Sequence, residues 1–231
     1  SLARLVVIAV VLGACQGTAP APTPSSSQVV LPSSVPPVTP PPTPTMPLGG
    51  TLRVALAAPI GALDPRSPDV NPLVAGQIFE GLVARGTDGV VPALATTWRV
   101  GADGRAWTFT LRDGVTFHDG TALDAAAVVK SLGRANDPLI ANADAPNERT
   151  VVLTTRVPYG PFLSALATTA YLVVSPVSRT SGTGPFRLPA GADGSRPSAP
   201  LRLERNDRYW GTDASGQRLP YLDALSFTVV P

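Results

Sequence analysis

The sequence predicts a mixed α/β fold, and three observations predict it. Between Thr96 and Arg112, Trp107, Phe109 and Leu111 alternate with Thr108, Thr110 and Arg112. That period-two pattern puts large apolar side chains on one face of a strand and polar ones on the other. Residues 72–84 instead place Leu73, Ile78 and Leu82, with Val74 and Phe79, at helical spacing. Asp-Gly pairs at 103–104, 113–114 and 119–120 mark the reversals, because glycine tolerates the positive φ of a tight turn. The chain is organised around Trp98–Thr121, which by itself reads as a compact β unit.

The 231 residues carry a net charge of +2 with 15% charged residues, and Lys130 is the only lysine. That balance, with no basic cluster among aromatics, argues against nucleic acid as partner. A single cysteine excludes an intrachain disulfide and any site needing several thiolates. It lies at the end of a basic start (Arg4), a short apolar run (Leu5 to Leu12) and the small residues Gly13 and Ala14. Residues 1–15 therefore read as a secretory signal, too short to span a bilayer. Leu12-Gly13-Ala14-Cys15 resembles a bacterial lipobox, which implies lipidation of Cys15. A non-lipidated signal or a buried free cysteine are the plainer readings of the same residues. Residues 16–48 hold many of the 27 prolines and no charge at all. Such a tract is expected as an extended tether, about 3.1 Å per residue and so about 100 Å in reach.

The folded part is expected over 49–231. Thr51–Ala57 reads as a strand that turns at Pro59–Ala62, and Asn71 with Pro72 makes a good helix start for 72–84. Strands follow at Thr96–Val100 and around 107–111, with a short apolar pair at Val115 and Phe117. Asp124 can cap a helix from Ala125 to about Arg134, stopped by Asn136-Asp137-Pro138. Thr150–Thr155 and Tyr171–Val174 read as strands, 157–167 as helical after Pro161, and 201–205 and 222–230 as closing strands.

Several strings resemble one family closely. FTLRDGVTFHDGT (109–121), preceded by PALATTWRV and DGRAWT, is similar to the signature of bacterial extracellular solute-binding protein family 5. IFEGLV (78–83), VPYGPFLSALA (157–167), SGTGPF (181–186), NDRYWG (206–211) and 222–230 match further family segments. Relatives carry a Glu-Asp pair where this chain has Ala126-Ala127, and a longer helical segment where it has only Pro176 to Ser181. The capping box is therefore missing and a surface element is expected to be deleted.

The resemblance covers 49–231 and implies a two-lobed, type II periplasmic-binding-protein-like fold. This chain would hold most of the first lobe, split into 49–84 plus 182–231 and 85–181. Members are longer, so the chain is expected to stop before the second lobe, as a fragment or a truncated gene. By resemblance the function is the solute-binding component of an ABC importer, capturing an oligopeptide outside the cytoplasm and delivering it to a permease, and a monomer is expected. A lipid-anchored structural or adhesive surface module is the rival. Ligand contacts are expected from Ala58, Pro59 and Ile60 and from Tyr171. No cofactor, metal or catalytic residue is expected. His118, the only histidine, sits in a turn where hydrogen bonding suffices. Asp113, Asp119 and Asp124 lack a calcium-loop spacing and read as turn and cap residues. Gly182-Thr183-Gly184 precedes a proline and a strand, the wrong context for a nucleotide loop. Arg112 is expected to pair with an acid, and Trp98, Trp107 and Trp210 to pack in the core.

Overall fold

The computed structural model describes residues 48–133, 137–192, 194, 197 and 199–230. The signal, Cys15 and nearly all of the expected tether lie outside them. The described residues contain three sheets and three short α-helices.

The block around Trp98 forms the sheet that the alternation predicts. Strand β4 (Ala95–Val100) pairs antiparallel with β5 (Ala106–Leu111), with Trp98 opposite Phe109 and Val100 opposite Trp107. Asp103 closes the turn by accepting from the amides of Arg105 and Ala106, and Gly104 takes φ +66°. β7 (Thr150–Thr155) flanks β5, and β6 (Ile140–Asn147) pairs outside β7 at the edge. Trp107, Phe109, Leu111, Val151 and Leu153 share one face and are buried. Helices α2 (Ala125–Gly133) and α3 (Phe162–Leu166) pack Val128, Leu132, Phe162 and Leu166 into the same core. Asp124 does cap α2, its Oδ1 accepting from the Ala127 amide at 2.7 Å, without a capping box.

The second large sheet joins the two ends of the folded region in the order β1-β10-β9-β8. β1 (Thr51–Leu56) runs parallel to β10 (Ala224–Val229), and β9 (Leu201–Arg205) and β8 (Phe186–Arg187) follow antiparallel. Leu203, Leu225 and Phe227 on its inner face pack against Val74 and Ile78 of α1 (Pro72–Ile78). The corner before β1 is clamped. The Gly49 amide donates to the Tyr221 carbonyl, the Gly50 amide to the Asp223 carboxylate, and the Asp223 amide returns to the Gly50 carbonyl. Arg205 pairs with the other Asp223 oxygen at 3.1 Å.

Three expectations need correction. The helix expected over 72–84 ends at Ile78, and Val83–Gly86 is strand β2, paired with β3 (Gly89–Pro92) across the Asp88-Gly89 turn. The Ile78 carbonyl, which another helical turn would use, instead accepts from the Gly184 amide at 2.9 Å. Tyr171–Val174 is not a strand: Thr169–Tyr171 is a short 3-10 turn, and Val173 makes only an isolated bridge to Glu80. Arg112 joins no ion pair among the described residues. Its Nε donates to the Ala93 carbonyl, and its guanidinium lies 3.8 Å from the centre of the Trp210 ring.

Candidate functional site

The parallel strands β1 and β10 end side by side at Leu56 and Val229. In open α/β sheets ligands bind outside the carboxyl ends of such strands. Here the β1–α1 loop crosses those ends. Ile60 and Leu63 anchor it in the core, and the Asn71 side chain donates to the Pro59 carbonyl at 3.1 Å while capping α1. At Gly61, φ is +67° and an added Cβ would lie 1.8 Å from the Asp69 carbonyl oxygen, so the loop folds back on itself only with glycine there.

Two adjoining clefts result, both touching Ala62. The first, about 380 Å³, lies among Pro59, Ile60, Gly61, Asp69, Ala199 and Val229. Among the described residues Asp69 is its only charged wall residue, and the Ser67 hydroxyl donating to its carboxylate holds it below the usual carboxylate range. The second, about 370 Å³, lies among Asp64, Arg66, Ser67, Val174 and Arg179. Arg66 Nη2 donates to the Ser131 and Leu172 carbonyls at 2.8 and 3.2 Å, and Arg179 pairs with Asp64 at 3.4 Å.

Of the residues expected from sequence, Pro59 and Ile60 line the first cleft and Ala58 lies exposed beside them. Ile60 is itself buried, so it shapes the cleft floor. Tyr171 is placed elsewhere. It is 5% exposed, belongs to the core of the β4-β5-β7-β6 sheet (the hairpin sheet), and donates its hydroxyl to the Asp137 carboxylate. Burial, with that neighbouring carboxylate, raises its pKa well above the ordinary tyrosine value. The structure does not bring it to the 58–60 loop. Asp64, Arg66, Asp69 and Arg179 also wall the clefts, and neither periodicity nor turn chemistry marks them in the sequence.

A second polar cluster joins the two large sheets. Glu80 accepts from the Thr183 hydroxyl at 2.8 Å and from the Tyr209 hydroxyl and Trp210 indole at 3.0 Å each. Burial pushes its carboxyl above the usual range, opposed by those three donors and by Arg112. Beside it, His118 Nε2 lies 2.9 Å from the Gly184 carbonyl and Nδ1 accepts from the Gly182 amide at 3.4 Å. Those contacts select the neutral, Nε2-protonated tautomer, and burial pushes the imidazole below its ordinary value. Both ring nitrogens serve the 181–186 turn, a structural role. Among the described residues no group of three or more His, Cys, Asp or Glu could hold a metal, and no helix is long and apolar enough to cross a membrane.

The family model for bacterial extracellular solute-binding proteins, family 5 Middle, matches residues 89–231. The glutathione-binding protein GsiB of Pectobacterium atrosepticum is 28% identical over 201 residues, 77% of this chain and 37% of that protein. The probable D,D-dipeptide-binding periplasmic protein DdpA of Escherichia coli is 31% identical over 159 residues, 58% of this chain and 30% of its own length. Among solved structures, an ABC transporter substrate-binding protein from Sinorhizobium meliloti superposes with a TM-score of 0.69 at 30% identity, covering 79% of this chain and 40% of that one. The periplasmic binding protein DppA of Helicobacter pylori, in complex with the peptide STSA, gives 0.64 at 25% identity, covering 80% and 43%. This chain thus spans about two fifths of the length of the relatives it matches. Its mixed α/β architecture is part of one lobe of the two-lobed periplasmic-binding-protein fold. The chain belongs to the bacterial extracellular solute-binding proteins of family 5.

Proposed function

We propose that the chain forms part of the solute-receiving wall of an ABC importer's binding protein. It captures a small solute outside the cytoplasm, an oligopeptide in the reading we favour, and hands it to a membrane permease. The observation that carries this is the cleft at the carboxyl ends of β1 and β10, with a second cleft adjoining it at Ala62, in a chain of this family. The names of GsiB and DdpA and the peptide bound to DppA support a peptide-sized solute. In this reading the chain does no chemistry: Ala58, Pro59 and Ile60 contribute shape and backbone groups, and two lobes close on the solute about a hinge. Residues 1–15 direct export, lipidated Cys15 holds a monomer at the membrane surface, and 16–48 space the folded part from it. The units 49–84 plus 182–231 and 85–181 act as the two subdomains of the lobe.

Calorimetric titration of the longest product of the gene with di- and tripeptides, glutathione among them, tests the reading. Saturable binding that weakens when Ile60 is replaced by Asp is expected. Failure of every peptide to bind overturns it. The 231-residue chain alone should bind orders of magnitude more weakly, because good sites enclose about 70–90% of a ligand and each hydrogen-bonded group lost costs about 1–3 kcal/mol.

A further inference from the structure

The outer face of the hairpin sheet holds a polar hollow that solute capture does not use. Across three strands Thr97, Thr110 and Thr150 stand in one row, and Arg99 and Thr108 in the next. Together with Trp98 they wall a hollow of about 340 Å³. None of the four threonine hydroxyls and no nitrogen of Arg99 is engaged by another described residue, whereas Arg149, next to Thr150, is tied to Asp113 and to the Leu111 carbonyl. Among the described residues no acid lines the hollow. In the Arg99 row the nearest carboxylate is Asp144 on the edge strand, beyond Thr108 and Val152. Three strand spacings of about 4.8 Å set their backbones about 14 Å apart, and among the described residues Arg99 joins no ion pair.

The geometry points to a binding site for a phosphate-type oxyanion on this face, held by the Arg99 guanidinium and the threonine hydroxyls. Side chains directly opposite on neighbouring strands stand about 4.5–5.5 Å apart. Two hydroxyls at that separation can each donate to one anion between them, since an O–H···O bond spans about 2.7 Å. Guanidinium supplies a planar fork that matches two phosphate oxygens. Threonine is also a common residue on solvent-facing strands, but that preference alone does not explain an unpaired cation among hydroxyls in a hollow free of acids. A neutral glycan fits less well, because sugars stack on aromatic rings, and Trp98, the tryptophan that borders the hollow, packs its side chain against the core cluster. Trp98 and Trp107 turn to the core side of the same sheet, and Trp210 lies against Glu80 and Arg112. The site is independent of the importer reading, and either can fail without the other.

Two sources supply such an anion: phosphate in solution, or the headgroups of a lipid surface. The test uses the 231-residue chain, titrated with inorganic phosphate at constant ionic strength and followed by amide chemical shifts, and separately sedimented with phosphatidylglycerol or phosphatidylcholine vesicles. Saturable shifts centred on 97–99, 108–110 and 150 are expected. Arg99→Gln should weaken binding roughly five-fold and Thr108→Val with Thr110→Val by a similar factor, the scale of one partly exposed charge contact. Arg53→Gln and Arg202→Gln, exposed arginines on the other large sheet, serve as charge-matched controls and should leave it unchanged. Phosphate binding identifies a soluble anion as sufficient, while retention by phosphatidylglycerol vesicles alone identifies a lipid headgroup. The proposal is overturned if neither probe binds, if Arg99→Gln binds like the parent, or if the control variants lose as much as Arg99→Gln.

Discussion

The two large sheets solve the same problem with opposite economy of chain. In the hairpin sheet β4 and β5 are joined by a tight turn, and β6 and β7 by another, so pairing is settled among near neighbours. The other sheet sets Thr51 beside Ala224, a pairing that waits for almost the whole folded region to be in place. Loop-closure entropy must be met before such distant contacts form. The difference teaches that the hairpin sheet can organise early, while the sheet that shapes the candidate clefts depends on everything between its strands. Two small devices couple them, the Glu80 cluster and the grip of His118 on the 181–186 turn.

The largest effect should come from that turn. An added Cβ at Gly182 would lie 2.1 Å from the Ile78 carbonyl oxygen and 2.6 Å from the Phe79 ring, and backbone cannot give way cheaply. Gly182→Ala should cost on the order of 3 kcal/mol or more in urea unfolding, or prevent folding. A loss within about 0.5 kcal/mol, the level of an ordinary surface change, would show that the turn is not a junction.

Next come the cores. Phe109→Ala and Phe227→Ala should each cost about 3–5 kcal/mol. Hydrogen exchange separates them: the first should expose amides of β5 and β7, and the second those of β1 and β10 while the hairpin sheet stays protected. Equal loss of protection in both sheets from either variant would merge them into one cooperative unit and break the comparison.

The coupling devices should answer pH with opposite signs. Glu80 has its carboxyl raised by burial from an ordinary 4.5, so its stabilising effect is complete below that value and is lost as pH rises through the folded value. His118 is depressed by burial from an ordinary 6.5, so its effect is complete above 6.5 and is lost as pH falls toward the folded value. Denaturation curves across pH should show Glu80→Gln removing the first dependence and His118→Gln the second. An unchanged pH profile in either variant would rule out that residue as a coupling group. The smallest effect belongs to the exposed pair Arg149–Asp113, whose side chains are 51% and 82% accessible. Asp113→Asn should change stability by no more than about 0.5 kcal/mol at moderate salt, and a larger shift would mean the pair fixes the end of the hairpin sheet.

Legibility in the sequence follows the same divide. Alternation at 107–111 and the turn at Asp103-Gly104 give the β4–β5 hairpin directly, because both signals are local. The edge strand β6, IANADAPN, is missed because Pro146 and its Asn and Asp residues read as loop, and bulges on either side of its paired stretch let it pair regardless. The false helix at 79–84 has a tertiary cause: Leu82 and Val83 keep the helical spacing, but the Ile78 carbonyl and the Glu80 carboxylate find partners in distant loops. The candidate clefts were half legible. Pro59 and Ile60 could be named from the family's loop, whereas Arg66 and Arg179 reach the wall through contacts that no spacing encodes. Tyr171 shows the converse, an aromatic in a promising segment that turns inward toward Asp137.

The clamp at Gly49, Gly50 and Asp223 also has a mechanical consequence. A pull applied through Leu48 would reach Gly49 first and meet the bonds to Tyr221 and Asp223 before any rung of β1. Beyond that corner β1 lies parallel to β10. A pull along the strand axis therefore shears their rungs together, and a pull across it peels them one at a time. Each rung resists with about 1 kcal/mol, so the direction of pull decides how much force the sheet withstands. Glycines at 49 and 50, with φ of +90° and +84°, set the angle at which the chain leaves this corner, and so which of the two loads the sheet feels.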